Sequence, residues 1–233
     1  MANFFNVTLD TTGPASPSLI IAGGATYATA RLVNVAISTT DTPTTGYQMK
    51  IWGDLDLATA KSDGLVGGAA TGTDEADALW ITYTSTKQIN LSSGDGSKTV
   101  NVKIRDDVYN ESASASDSII LDTTLPVVTI SGPDVSKISK QSGKNVASFT
   151  FSVAEAFVEY KVKVVAASGG AQTTGTQIPT TSGSTNMSGT GTFPAATPIS
   201  CSINGSDLET ASSGDGAKII KVFVKDNSGN WSI

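Results

Sequence analysis

Apolar and polar residues alternate with a period of two along much of the chain. Val100, Val102 and Ile104 are separated by polar residues, and the same alternation recurs at residues 33–37, 149–153, 160–164 and 220–224. A period of two places successive side chains on opposite faces of a strand. No stretch shows a sustained helical period of 3.6 residues. The pattern predicts an all-β fold of short strands, which is typical of β-sandwiches.

Two phrases of the sequence are nearly identical, and three landmarks recur in the same order. "SGDGSKTVNVKIRDD" contains Asp95 and "SGDGAKIIKVFVKDN" contains Asp215, 120 residues later. Upstream, "LDTTGP" contains Asp10 and "LDTTLP" contains Asp122, 112 residues later; between these anchors "YQMKIW" is matched by "YKVKVV". Landmarks that recur at nearly constant spacing indicate an internal duplication with a small insertion in the second copy.

The duplication predicts two tandem domains, residues 1–121 and residues 122–233, joined at the polar, proline-ended "DTTLP". We assign the insertion to the polar, glycine-rich residues 172–197, which we expect to form a long exposed loop or a small hairpin. This segment is either a recognition loop or a connection without a partner.

Glycine and Asx residues predict where the strands turn. The Gly-Asp-Gly triplets at 94–96 and 214–216 tolerate the positive φ angles of a sharp turn before a strand. Downstream, "DDVYNES" and "DNSGNWS" place aspartate and asparagine in matching positions, and such residues close hairpins through side-chain to backbone hydrogen bonds. The first of these phrases lacks the glycine of the second, which predicts a wider turn in the first domain.

These landmarks together resemble a known family. "LDTTxP" opening a domain, "SGDGxKxVxVxxxD" near its end and a closing "DxSGNxS" are similar to the tandem bacterial immunoglobulin-like (Ig-like) repeats. Such repeats occur in surface adhesins, in secreted multidomain proteins and in bacteriophage structural proteins. The resemblance covers both halves of the chain and implies two Ig-like β-sandwiches that act as spacers or binding modules, without catalysis. Because it rests on turn and strand positions, it concerns the fold more than the function.

The second domain lacks a counterpart of one strand of the first. After its closing turn the first copy continues through "ASASDSIILDTT", whose Ile119 and Leu121 predict a last strand, whereas the second copy stops at "GNWSI". A sheet without that strand exposes backbone groups that pair with another chain. The N-terminal "FFNVTLDTT" resembles "DSIILDTT", so one explanation is head-to-tail donation of this strand between subunits. The other explanation is that the strand lies beyond Ile233.

Composition and charge exclude several classes of protein. Apolar residues make up 39% and charged residues 15%, a balance too apolar for a disordered chain. A net charge of −6, with no run of lysine and arginine, argues against nucleic acid as a partner. No stretch is long enough to predict insertion into a membrane. The N-terminus lacks the pattern of a signal peptide, so we expect synthesis without secretion, although an expression fragment with an added methionine would look the same.

The residue types needed for most catalytic sites are missing. The chain has no histidine and one cysteine, Cys201, which excludes Ser–His and Cys–His pairs and an intrachain disulfide. The alternation around Cys201 predicts a small buried side chain. We therefore predict that the protein is not an enzyme and holds no cofactor, apart from a candidate calcium ion.

Calcium is the one metal that the acidic turns suggest, because it prefers oxygen ligands. None of these acids has the spacing of a dedicated calcium loop, so solvated turn acids are the alternative interpretation. The candidate ligands are Asp54, Asp56, Asp106, Asp107 and Asp122.

The three tryptophans suggest either sugar stacking or packing. We favour packing for Trp52 and Trp80, and we expect Trp231 to cover the exposed edge of the second domain. An accessory domain of a carbohydrate-active enzyme would need aromatic residues exposed on one face, which the sequence does not show.

The function predicted first is a virion component: a phage capsid decoration, tail or fibre-associated protein that binds other virion proteins or further copies of itself. The predicted contact uses the N-terminal strand and the open edge of the second domain, and the predicted location is the virion. The alternative is a fragment of a secreted adhesin at the bacterial surface.

Overall fold

β-Strands are the main regular secondary structure of the protein. The computed structural model describes residues 5–233, with 41% strand and 7% helix, and the prediction of an all-β, Ig-like fold is confirmed. The described chain separates into two compact units, unit 1 ending at Thr123 and unit 2 beginning at Thr124. The two helices are six and seven residues long.

Unit 1 is a sandwich of two sheets. One sheet has the order β1-β3-β6 and the other β2-β8-β7-β4-β5; all neighbours are antiparallel except β2 and β8. A 3-10 turn, in which Gly23 has a φ of +66°, connects β1 of the first sheet to β2 of the second. The elements are β1 (Ser18–Ile21), β2 (Tyr27–Ala28), β3 (Leu32–Ser38), β4 (Gln48–Gly53), α1 (Leu57–Ser62), β5 (Ile81–Thr82), β6 (Thr86–Asn90), β7 (Gly96–Arg105) and β8 (Ala115–Leu121).

The alternating apolar residues of unit 1 point between its two sheets. The strands β1, β3, β4 and β7 bury alternate residues, as a period of two requires. The core is made almost entirely of aliphatic side chains, and its fully buried members include Val35, Met49, Ile51, Ile89, Val100, Val102 and Ile104.

Unit 2 repeats the strand order of unit 1, except at one edge. One sheet has the order β14-β10-β9; in the other, β11 pairs with β15 on one side and with β12 and β13 on the other. The elements are β9 (Val128–Ser131), β10 (Val146–Val153), β11 (Phe157–Val165), β12 (Thr176–Gln177), β13 (Ser188–Phe193), β14 (Ile199–Asn204), α2 (Gly205–Ala211) and β15 (Ile219–Asp226).

The core of unit 2 contains aromatic side chains where that of unit 1 is aliphatic. The Phe157 and Phe193 rings stack with centroids 4.7 Å apart, and Tyr160 meets Phe151 at 5.1 Å. Offset and tilted ring pairs at these distances stabilise a core beyond the area that they bury.

The insertion in the second copy lies in α2, and not in residues 172–197 as predicted. Five residues (91–95) separate β6 from β7, whereas eleven (205–215) separate β14 from the matching Gly216. Residues 172–197 are not a long exposed loop either. They supply β12 and β13 to the sheet, and Ile178 and Met187 are buried.

The buried Asp207 of α2 holds the chain between β12 and β13. Its carboxylate accepts hydrogen bonds from Thr181 Oγ1 at 2.9 Å and from the backbone N–H groups of Ser182 and Ser184 at 2.8 and 2.9 Å. Burial alone would raise the pKa of this carboxyl, but the hydrogen bonds outweigh burial and lower its pKa.

The turn after β7 is not wider than the turn after β15, contrary to the prediction. In each turn the aspartate N–H donates to the carbonyl four residues on, from Asp106 to Asn110 at 3.2 Å and from Asp226 to Asn230 at 3.0 Å. Tyr109 adopts a φ of +70° where Gly229 adopts +103°. The tyrosine accepts the left-handed conformation, and the turn keeps its width without glycine.

Candidate functional site: the open edge of unit 2

In unit 1 the outer edge of β7, the side that faces away from β4, is covered by β8. The register places Ile119 opposite Lys98 and Leu121 opposite Gly96. Ile119 and Leu121 are 2% and 1% exposed, and they belong to the same buried core as Val100. The strand predicted from "SIILDTT" therefore completes the sheet of unit 1.

The end of β8 is fixed by a contact between the two motifs of the duplication. Thr123, from "LDTT", donates its N–H and its hydroxyl to Asp95 Oδ1 at 2.9 and 2.8 Å, and Asp95 belongs to "SGDG". This pair was not predicted from the sequence. Its signal was present, because both motifs occur in both copies of the repeat.

In the described part of the chain, no strand lies across the corresponding edge of unit 2. The open edge is the side of β15 that faces away from β11, together with the residues 216–218 that precede β15. Among residues 5–233 no strand pairs with the open edge, and the one bridge there joins Lys225 to Trp231. Ile220 is only half-buried, whereas its counterpart Val100 is fully buried under β8. The open edge thus exposes backbone groups and core side chains that unit 1 covers.

A segment that resembles β8 lies exposed at the start of the described chain. The N-terminal segment, residues 5–9, forms no secondary structure, and its Phe5, Val7 and Leu9 are 86%, 80% and 85% exposed. The chain contacts unit 1 from Asp10 onward, where Asn110 Nδ2 donates to the Asp10 carbonyl at 3.3 Å. Residues 1–4 of the predicted donor strand lie outside the described residues.

Two of the predicted calcium ligands are engaged in hydrogen bonds to the chain. Asp54 Oδ2 accepts from the Thr99 N–H at 2.8 Å. Asp56 caps α1 by accepting from the Thr59 N–H at 3.0 Å, and it also forms an ion pair with Arg31. The cap bond and the Arg31 guanidinium lower the pKa of Asp56.

The other three predicted ligands do not meet the first two around a common point. Asp106 uses both carboxylate oxygens inside its own turn, accepting from two backbone N–H groups and from Asn110 Nδ2 at 2.9 Å. Asp107 is exposed, and the Asp122 N–H donates to the Ala28 carbonyl. Among residues 5–233 no group of three or more acidic, cysteine or histidine side chains is placed to hold a metal ion.

The tryptophans lie outside the two buried cores and contact cationic side chains. Lys50 Nζ is 5.9 Å from the Trp52 ring centroid and 5.0 Å from that of Trp80. In unit 2, Lys161 Nζ lies 4.8 Å from the centroid of Trp231, which bridges to the end of β15 beside the closing turn. These side chains pack under lysine stems and form no bare stacking platform.

Cys201 is buried in β14, where its thiol donates to the Asn186 carbonyl at 3.2 Å. Burial raises the pKa of this thiol to about 12, so the reactive thiolate is scarce at neutral pH.

Two surface depressions of the described chain are lined by few side chains that could act as acids, bases or nucleophiles. One is lined by residues of β11 and the 166–176 connection, and the other by residues 22–34; Tyr27 is the one titratable side chain in either lining. Neither helix of the described chain has the length or apolar character needed to cross a membrane.

Comparisons with known proteins bear on the fold alone. No family model and no curated protein matches the sequence. Among solved structures, the chain is similar to the fibronectin(III)-like modules of CbhA from Clostridium thermocellum, with 11% identity, 92% of this chain and 89% of that chain covered, and a TM-score of 0.42. The chain is also similar to a marsupial T cell receptor, with 10% identity, 94% of this chain and 73% of that chain covered, and a TM-score of 0.40. A third similar structure is the chitinase ChiA74 from Bacillus thuringiensis, with 13% identity, 93% of this chain covered and a TM-score of 0.29. The match covers 30% of that chain, so this protein spans less than a third of that enzyme.

Proposed function

We propose that this protein is a non-catalytic structural module that assembles with other proteins of a phage virion, as a capsid decoration, tail or fibre-associated protein. The observation that carries the proposal is the open edge of unit 2. A sheet edge that leaves the half-buried Ile220 and a row of backbone groups without a strand is a surface for pairing with another chain. The resemblance of both units to Ig-like repeats, which occur in phage structural proteins, supports the virion as its location.

The uses of the acidic side chains support a structural function. The carboxylates of Asp54, Asp56, Asp106 and Asp207 all accept hydrogen bonds within their own units. Acids committed to turns, caps and loops stabilise a rigid sandwich. Such rigidity suits a module that acts as a spacer or a structural support in an assembly.

A second candidate is a module of a bacterial surface adhesin built from Ig-like repeats. The open edge favours this candidate as well, because the next repeat of a longer chain would supply the absent strand. In that case the strand and unit 2 belong to one polypeptide.

Mass spectrometry of purified phage particles and of surface fractions of bacterial cells from the same source separates the two candidates. We expect peptides of residues 1–233 in particles, at a fixed ratio to the major capsid protein, with gold-labelled antibodies decorating one part of the particle. Peptides confined to the cell-surface fraction, from a longer polypeptide with further "LDTTxP" repeats, would contradict the virion location and support the adhesin.

A further inference from the structure

We propose that the open edge of unit 2 binds the N-terminal segment of a second copy of this chain, which completes the sheet in the position that β8 occupies in unit 1. The inference rests on the proposed assembly function and names its partner. Unit 1 serves as a template for this contact. In unit 1, β8 and the "LDTT" motif that follows it contact β7 and the "SGDG" motif that precedes it.

The template fixes the register of the donated strand. Each acceptor residue lies 120 positions after its counterpart in β7, and each donor residue lies 112 positions before its counterpart in β8. The observed pairs of β7 and β8 therefore give the expected pairs between copies. Leu9 then lies opposite Gly216, and Val7 opposite Lys218. Gly96 and Gly216 both have a φ of +125°, so the first acceptor residue already has the φ angle of its counterpart in β7.

The side chains of the donor suit the acceptor. Val7 and Leu9 take the inward positions of Ile119 and Leu121, which are buried in unit 1, whereas both donor side chains are at least 80% exposed at present. Phe5 takes the position of Asp117, opposite the half-buried Ile220. Transfer of these apolar surfaces from water into a core is favourable.

A polar contact would fix the end of the donated strand. Thr123 donates twice to Asp95 in unit 1, and the corresponding residues are Thr11 and Asp215. Asp215 is exposed in unit 2, and Thr11 is exposed next to the N-terminal segment. Both side chains are therefore accessible, and neither has to leave a buried position to form this contact.

Donation between copies is head-to-tail, because the donor lies at the start of unit 1 and the acceptor belongs to unit 2. A heterologous contact of this kind builds an open filament, or a ring if its rotation closes. Each junction between copies would repeat the "LDTT" connection that joins unit 1 to unit 2 within one chain.

Disulfide trapping between two variants that each carry one added cysteine tests the register and the partner together. The template pairs Thr8 with Ala217, and both are exposed. Thr8→Cys protein mixed with Ala217→Cys protein is expected to give a disulfide-linked heterodimer under mild oxidation. Thr192→Cys, exposed in β13 at the opposite edge of the same sheet, is the matched control acceptor and is expected to give none. The native Cys201 is buried and does not compete.

A matched pair of donor variants tests which face of the segment enters the core. Val7→Asp with Leu9→Asp places two charges on the inward face and is expected to weaken concentration-dependent association on the order of a hundredfold or more. Asn6→Asp with Thr8→Asp makes the same change of charge on the outward face and is expected to retain association. All four residues are exposed in the single chain, so the fold of each unit stays intact in both variants.

The outcomes are decisive in either direction. Absence of the heterodimer, or equal trapping by Thr192→Cys, would overturn donation between copies. So would association that survives both aspartates on the inward face. These experiments use purified protein and no particles, so their failure leaves the virion location to be judged separately by the particle analysis.

Discussion

Unit 1 and unit 2 share one strand order, but among residues 5–233 the second sheet of unit 2 lacks the strand that closes that of unit 1. In unit 1, β8 lies between β7 and β2 and buries Ile119 and Leu121; in unit 2 the sheet stops at β15. The turn that follows each of β7 and β15 is nevertheless the same. The turn and the strand before it therefore form without the strand that completes the sheet.

The largest effect is expected when unit 1 is opened to resemble unit 2. Ile119→Ala with Leu121→Ala removes two fully buried side chains, and large-to-small changes in a core cost about 2–5 kcal/mol each. We expect unit 1 to lose about 5 kcal/mol of unfolding free energy, measured by urea denaturation with hydrogen exchange resolved by peptide.

Ile120→Ala is the control for this change, because Ile120 lies on the outward face of β8 and is 39% exposed. Its expected cost is below about 1 kcal/mol. Equal losses of unfolding free energy in the two variants would show that β8 stabilises unit 1 by backbone pairing and little by side-chain burial. The expected free energy of binding the donated strand would then be smaller.

A second effect concerns the anchor that only unit 2 possesses. Asp207→Asn replaces a buried carboxylate that accepts three hydrogen bonds, and hydrogen bonds to charged groups contribute about 1.5–3 kcal/mol. We expect unit 2 to lose about 3 kcal/mol at pH 7, while unit 1 is unchanged. Asp215→Asn, at an exposed carboxylate of the same unit, is the control at concentrations where the protein is monomeric.

The same variant has a defined dependence on pH. The pKa of Asp207 is lower in the folded state than its ordinary value of 3.8, so the unfolded state binds the proton more tightly. The stabilisation is therefore complete above about pH 4 to 5 and is lost as the pH falls through the folded pKa. Urea denaturation at a series of pH values should show the stability difference between the unsubstituted protein and the Asp207→Asn variant shrinking in acid. A difference that stays constant down to about pH 2 would contradict the role of the charge.

The smallest effect tests the turn that the two units share. Gly229→Ala places a side chain at a φ of +103° and is expected to cost unit 2 about 1 kcal/mol. Tyr109→Gly relieves a left-handed residue but removes the contact with the Arg105 guanidinium, 4.4 Å from the ring centroid, so its net effect on unit 1 is expected to be smaller. Thermal unfolding measures both, with the exposed Asn227→Ala as the control.

Much of the candidate site could be predicted from the sequence because its parts are local patterns. The alternation at 220–224 and the glycine-bounded turn specify β15 whatever lies beside it, and the match of "FFNVTLDTT" to "DSIILDTT" indicates a second strand of the same kind. The pairing of Asp95 with Thr123 could not be derived from either motif alone, because it joins residues 28 positions apart.

Local sequence patterns were sufficient to predict the all-β class, the duplication and the positions of the main strands, because the period of two and the glycine turns act over a few residues. The hydrogen bonds of the polar side chains, by contrast, depend on the packed fold. Asp56 became a helix cap, Asp106 filled its own turn, and Asp207 became the buried anchor of residues 181–184. Each of these roles depends on which backbone N–H groups the packed sheets bring within hydrogen-bonding distance of a carboxylate, and that distance is set by the whole fold.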